Sequence, residues 1–171
     1  MKGSVTTVAM FGLVLLVGCS GPTAPIGASP VAGGDTSAKG AMSAPFKGSF
    51  EGTQTVTPGT PPFVTVVMNG EGRGSLVGRF DISLPHTVNF ATASASGVAT
   101  IVAADGSSLV ANFTGQAQIG PIVSIVEQAT ITSGTGRFAS ATGSFTIRRT
   151  FDPATGRTSG EFDGSVQLHG Q

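Results

Sequence analysis

From Phe46 onward, apolar and polar residues alternate in short runs, and the runs are broken by Gly, Pro, Asn-Gly and Asp-Gly. A period of two puts alternate side chains on opposite faces of an extended chain, so this pattern requires β-strands and excludes helices. Leu109, Ala111, Phe113, Gly115, Ala117 and Ile119 form one such face, against Val110, Asn112, Thr114, Gln116 and Gln118 on the other. Phe80, Ile82 and Leu84 oppose Arg79, Asp81 and Ser83. Phe162, Val166 and Leu168 oppose Glu161, Asp163, Ser165 and Gln167. Strands are expected near residues 46–57, 63–68, 74–84, 87–94, 98–104, 108–118, 122–132, 143–151 and 158–168. Asp105-Gly106 and the stretch from Asp152 to Gly156 supply the clearest turns, because Gly reaches positive φ without steric cost.

Eight or nine strands in about 125 residues suit a small antiparallel β-barrel or a sandwich. The apolar parity mixes Gly with Phe. That mixture favours the barrel, since tight curvature sets small residues beside large ones. Trp and Tyr are both absent, so the aromatic girdles of a membrane-spanning barrel are missing.

Composition narrows the function. The 171 residues carry nine basic and nine acidic side chains, with no net formal charge. Nucleic acid is therefore not an expected partner, because phosphate binding needs clustered positive charge. The lone Cys excludes a disulfide framework and any multi-Cys metal site. No cofactor or metal is expected.

The chain opens with Met1-Lys2 and an apolar run from Val5 to Val17. Thirteen helical residues span about 20 Å, short of a ~30 Å hydrocarbon core. This is the h-region of a secretory signal rather than a transmembrane anchor. It ends in Leu16-Val17-Gly18-Cys19, which resembles the bacterial lipobox, Leu-x-Gly/Ala-Cys. The resemblance implies cleavage after residue 18, a diacylglycerol thioether on Cys19 and palmitate-type acylation of the new N-terminus. Several acyl chains anchor firmly where one is marginal. Ser20, rather than Asp, follows the Cys, which in a Gram-negative host points to the outer membrane.

Residues 20–45 follow as a tether. Nineteen of these 26 residues are Gly, Ala, Ser or Pro, a composition that buries no face and is expected to be disordered. The organisation expected is thus residues 1–18 as signal peptide, 19–45 as lipidated Cys and linker, and 46–171 as the barrel domain in the cell envelope.

The stretch from Ile131 to Phe145 reads ITSGTGRFASATGSF. It resembles the Gly-Thr-Gly-x-Phe-x-x-Ala-x-Gly signature of the dirigent and allene oxide cyclase superfamily. That resemblance implies an eight-stranded antiparallel barrel with a central cavity, often assembled as a trimer. Ser133 and Thr142 depart from the Gly and Arg common there. On physical grounds alone, Gly134 and Gly136 allow a sharp turn, and Phe138 is expected to fold back as a plug at a barrel end.

Chemistry-bearing residues are few. Glu127 stands in the row Val123, Ile125, Glu127, Ala129, Ile131. Arg149 stands in the row Phe145, Ile147, Arg149, Phe151. A charge inside an apolar row is costly unless paired. A Glu127–Arg149 pair inside the barrel is therefore expected. It would orient a ligand's polar group, supply a base at Glu127, or serve structure alone. Gln54 is the remaining inward polar candidate. His86 follows Pro85 in an expected turn and reads as a surface or cap residue, as does His169. Residues 70–74, Gly-Glu-Gly-Arg-Gly, read as a tight turn, since no phosphate-loop ending follows. Three functions follow: a non-catalytic binding or structural module, a carrier of a small apolar ligand, and an isomerase or cyclase like allene oxide cyclase. With eleven Phe and so few inward polar groups, the non-catalytic module is the expectation.

Overall fold

The computed structural model describes residues 42–169. The signal segment, Cys19 and the greater part of the expected tether lie outside them. Eight strands form: β1 (Met42–Pro58), β2 (Phe63–Gly74), β3 (Gly78–Asn89), β4 (Ser94–Ala103), β5 (Ser108–Gln118), β6 (Val123–Gly134), β7 (Thr142–Asp152) and β8 (Arg157–Leu168). Each pairs antiparallel with its neighbours in sequence, and β1 pairs with β8 to close the barrel. The described residues include a single 3-10 turn, Gly136–Phe138, and no other helix. The closed ladder runs over residues 42–168.

The apolar parity faces inward. One core cluster runs from Phe46 through Phe80, Leu109 and Phe145 to Val166. The outer wall carries Glu51, Glu71, Arg73, Arg79, Arg148 and Glu161 on exposed positions. Against hydrocarbon each such charge would be costly, up to about 2–4 kcal/mol for an Arg at bilayer mid-depth.

Hairpins alternate between the two ends. At one end, called the base, the β2–β3, β4–β5 and β6–β7 connections meet. The base interior is filled with aromatic rings. Phe46 stacks on Phe162 at 4.5 Å and meets Phe145 edge-on at 5.1 Å, while Phe80 lies 5.6 Å from Phe162. The other end, called the mouth, is formed by the β1–β2, β3–β4, β5–β6 and β7–β8 connections.

Three local expectations are corrected. The strands expected at 74–84 and 87–94 are one strand, β3, which runs through Pro85 and His86. Proline usually breaks a ladder because it has no N–H to donate. Here the β3–β4 pairing omits Leu84 and Pro85 and resumes at His86–Gly97. Residues 70–74 are strand rather than turn: Gly72 lies on one rung between Phe50 and Phe80, and its missing side chain makes room for both rings. The turn falls instead at Leu76, which takes φ +66. Finally, β1 begins at Met42, because the edge of β8 pairs Met42–Pro45 with Leu168–Ser165. Four residues of the expected linker are thus strand.

Candidate functional site

Four polar side chains meet inside the barrel, one each from β1, β3, β6 and β7. Arg149 and Glu127 form a bidentate pair: Nε donates to Oε2 at 3.0 Å and Nη2 to Oε1 at 2.7 Å. Both side chains are essentially sealed from solvent, at 1% and 0% exposure. Two parallel N–H···O bonds fix the plane of the guanidinium as well as its position. Arg149 Nη1 donates to Gln54 Oε1 at 2.8 Å, and Nη2 faces His86 Nε2 at 3.5 Å.

His86 is therefore an interior residue, only 6% exposed, and not the surface or cap residue expected. The parity of Phe80, Ile82 and Leu84 carries through Pro85 and turns the imidazole inward. Its Nδ1 lies 2.7 Å from the Leu84 carbonyl. A carbonyl only accepts, so Nδ1 carries the proton and Nε2 presents its lone pair to Arg149. Burial lowers the His86 pKa below its ordinary value. The Arg149 charge adds to that, while the Leu84 carbonyl and Glu127 oppose it. His86 is neutral, and the four groups together carry no net charge.

Glycines make the cluster fit. Gly115 lies across from Glu127, Gly160 across from Arg149, and Gly97 across from His86. A methyl group on each would lie 2.5 to 2.6 Å from its partner's side chain. The curved sheet thus spends its smallest residues where its interior holds the bulkiest polar groups. Gly97 is the trace that His86 leaves in the sequence, readable once the β3–β4 register is known.

Above the cluster the barrel opens. A cup of about 90 Å³ lies between it and the mouth, walled by Val64, Val66, Val88, Ala95, Ala117 and Ile125, with Gln54, His86 and Arg149 on its floor. One water needs about 10–15 Å³ of such space, so the cup admits a molecule the size of several waters. The Gln54 amide nitrogen has no hydrogen-bond partner among the described residues, leaving N–H donors for a guest. Glu127 does not line the cup. Both of its oxygens are held by Arg149, so it is not presented as a base.

The Gly134–Gly136–Phe138 loop is at the base, far from the cup. Gly136 takes φ +57. A side chain on Gly134 would collide with the Phe138 carbonyl. Phe138 is 1% exposed and joins the core as a plug. Arg137 lies over its ring at 4.8 Å, donates to the Val77 carbonyl and pairs with Asp105 at 3.3 Å. These contacts close the base. His169 is exposed there, with Nδ1 bonded to the Ser140 carbonyl. Cys19 lies outside the described residues. Among the described residues no group of three His, Cys, Asp or Glu is placed to hold a metal ion.

No protein-family model matches the sequence, and no curated protein matches it. Solved structures do. The pterocarpan synthase dirigent protein GePTS1 superimposes with a TM-score of 0.58 at 15% identity, over 83% of this chain and 98% of that one. The pterocarpan synthase dirigent protein PsPTS1 gives a TM-score of 0.55 at 14% identity, over 76% and 97%. At these identities the likeness establishes a dirigent-like barrel fold and nothing finer.

Proposed function

We propose that this chain is a lipid-anchored envelope protein whose barrel binds one small, uncharged, mostly apolar molecule in the cup at its mouth, without chemical conversion. The observation that carries the reading is the pairing of an apolar wall with a polar floor of zero net charge. Valine and isoleucine methyls reward burial of an apolar body. The Gln54 N–H groups supply one donor site for a carbonyl or hydroxyl oxygen. An anionic guest gains little, because Arg149 is already neutralised by Glu127 and has no free charge to offer. The base is packed solid with Phe, so a guest enters only by the mouth.

Anchoring rests on Leu16-Val17-Gly18-Cys19. Labelling with a palmitate analogue tests it: the parent chain takes up label and Cys19→Ala does not, whereas equal labelling would remove the anchor from the reading. Native mass spectrometry tests the binding. The parent chain retains a small-molecule adduct or takes up an added neutral aromatic. Ala117→Phe, which fills the cup, does neither. Identical spectra for the two chains would refute a bound guest.

A further inference from the structure

The mouth end differs from the base in a way the cup does not require. Three of its four loops, at residues 58–63, 89–94 and 118–123, contain no charged side chain, while the fourth, 152–157, carries Asp152 and Arg157. Four large apolar residues stand exposed there: Phe63, Phe90, Ile119 and Ile122, with Phe90 at 60% and Ile119 at 69%. The base carries Lys47, Asp105, Arg137 and Asp163. Single exposed apolar residues are ordinary, but four of them on three adjoining loop tips beside an opening mark an interaction surface.

We infer that the mouth end docks on a lipid bilayer, with Phe63, Phe90, Ile119 and Ile122 reaching the acyl boundary. Three observations favour lipid over a protein partner. The side chains stand on three separate loop tips beside a hole, since Phe90 and Ile119 also line the cup. A rigid protein face would leave that hole empty, while fluid acyl chains fill it. The three apolar loops offer no charge with which a protein partner could be steered or held in register, and on the fourth the Asp152 carboxylate is turned into its own loop, where it accepts from the Ala154 N–H and the Thr155 hydroxyl. Asp152 and Arg157 cancel, so the mouth loops carry no net charge and give no preference for anionic headgroups.

The chain outside the barrel permits this orientation. β1 starts at the base, and residues 20–41 separate Met42 from Cys19. Twenty-two residues can span up to about 75 Å, more than the roughly 40 Å of a twelve-residue strand. A chain held by Cys19 can therefore turn its mouth to the same membrane. Docked so, the cup would open onto the layer in which apolar molecules collect. The docking itself does not depend on the cup holding a guest.

Flotation with phosphatidylcholine vesicles tests the inference, using the Cys19→Ser chain that starts at residue 19. The parent floats equally well at 50 and 500 mM salt, as apolar insertion requires. Phe90→Ser with Ile119→Ser lowers binding by about tenfold or more. Phe63→Ser with Ile122→Ser does the same, and Val67→Ser on the outer wall does not. Ala117→Phe still floats, which separates docking from occupancy of the cup. A parent that stays with the unbound protein overturns the inference. So does undiminished flotation of both double variants, or flotation confined to anionic vesicles and lost in high salt. So, too, does a concentration-dependent dimer, abolished by the same substitutions, in place of vesicle binding.

Discussion

Gly160 on β8 lies directly across from Arg149 on β7, and a methyl group on that glycine would sit 2.6 Å from the Arg149 Cβ. The buried guanidinium therefore depends on a missing side chain one strand away. Gly160→Ala must push Arg149, Phe50 or the strand itself aside. A loss of about 1–3 kcal/mol in unfolding free energy is expected from such overpacking, read by urea denaturation. An unchanged midpoint would mean that the strands yield at no cost.

The Glu127–Arg149 pair is predicted to stabilise little as a pair and to be costly to break. Arg149→Met leaves a buried carboxylate unpaired and should cost about 3–5 kcal/mol, while Glu127→Gln combined with Arg149→Met should recover a large part of that loss. A double-mutant cycle by chemical denaturation checks it. Strict additivity of the two single substitutions would contradict the coupling.

His86 sets a pH window. Burial holds its folded pKa below the 6.5 of the free side chain, so below that pH the unfolded chain takes up a proton that the folded barrel refuses. Stability is full above about pH 6.5 and falls as pH drops through the interval between the unfolded and folded values. His86→Gln should flatten this decline. The carboxylates act lower. A backbone N–H from Ser107 depresses Asp105, and the Thr155 hydroxyl depresses Asp152. Their contribution is present above about pH 3.8 and is lost as pH falls through their lowered values. Thermal melts from pH 8 to 3 separate the two windows.

Phe162 touches Phe46, Phe80 and Phe145. Phe162→Ala should cost about 3–5 kcal/mol by opening a cavity in the base. The same substitution should leave guest binding at the mouth intact if the base and cup are separate, as ligand titration of the folded variant will show.

Much of this was legible in the alternation of residues. Phe80–Ile82–Leu84, Leu109–Ala111–Phe113 and Phe145–Ile147 state their inward faces directly, and a lone charge in each of two such rows marks Glu127 and Arg149. His86 was hidden by Pro85. A proline between two apolar runs argues for a turn when the strand is read alone, and only the partners on β2 and β4 show the chain continuing. Gly97, Gly115 and Gly160 carried the missing information, but a glycine opposite a bulky residue is visible only once register is known. The cup was hidden for a related reason. Which inward residues share a layer depends on strand stagger, and no single strand encodes that. Rings from β1, β3, β7 and β8 converge at the base, while valines and alanines are left at the mouth.

A cup above a floor without net charge should prefer a neutral guest to a charged one of the same shape. Methyl benzoate and benzoate share a ring and differ in charge, and saturation-transfer NMR on the folded chain compares them directly. Methyl benzoate should receive saturation, benzoate should bind at least about tenfold more weakly, and Ala117→Phe should abolish the signal. Benzoate binding as tightly as its ester, or neither molecule binding, would contradict the account.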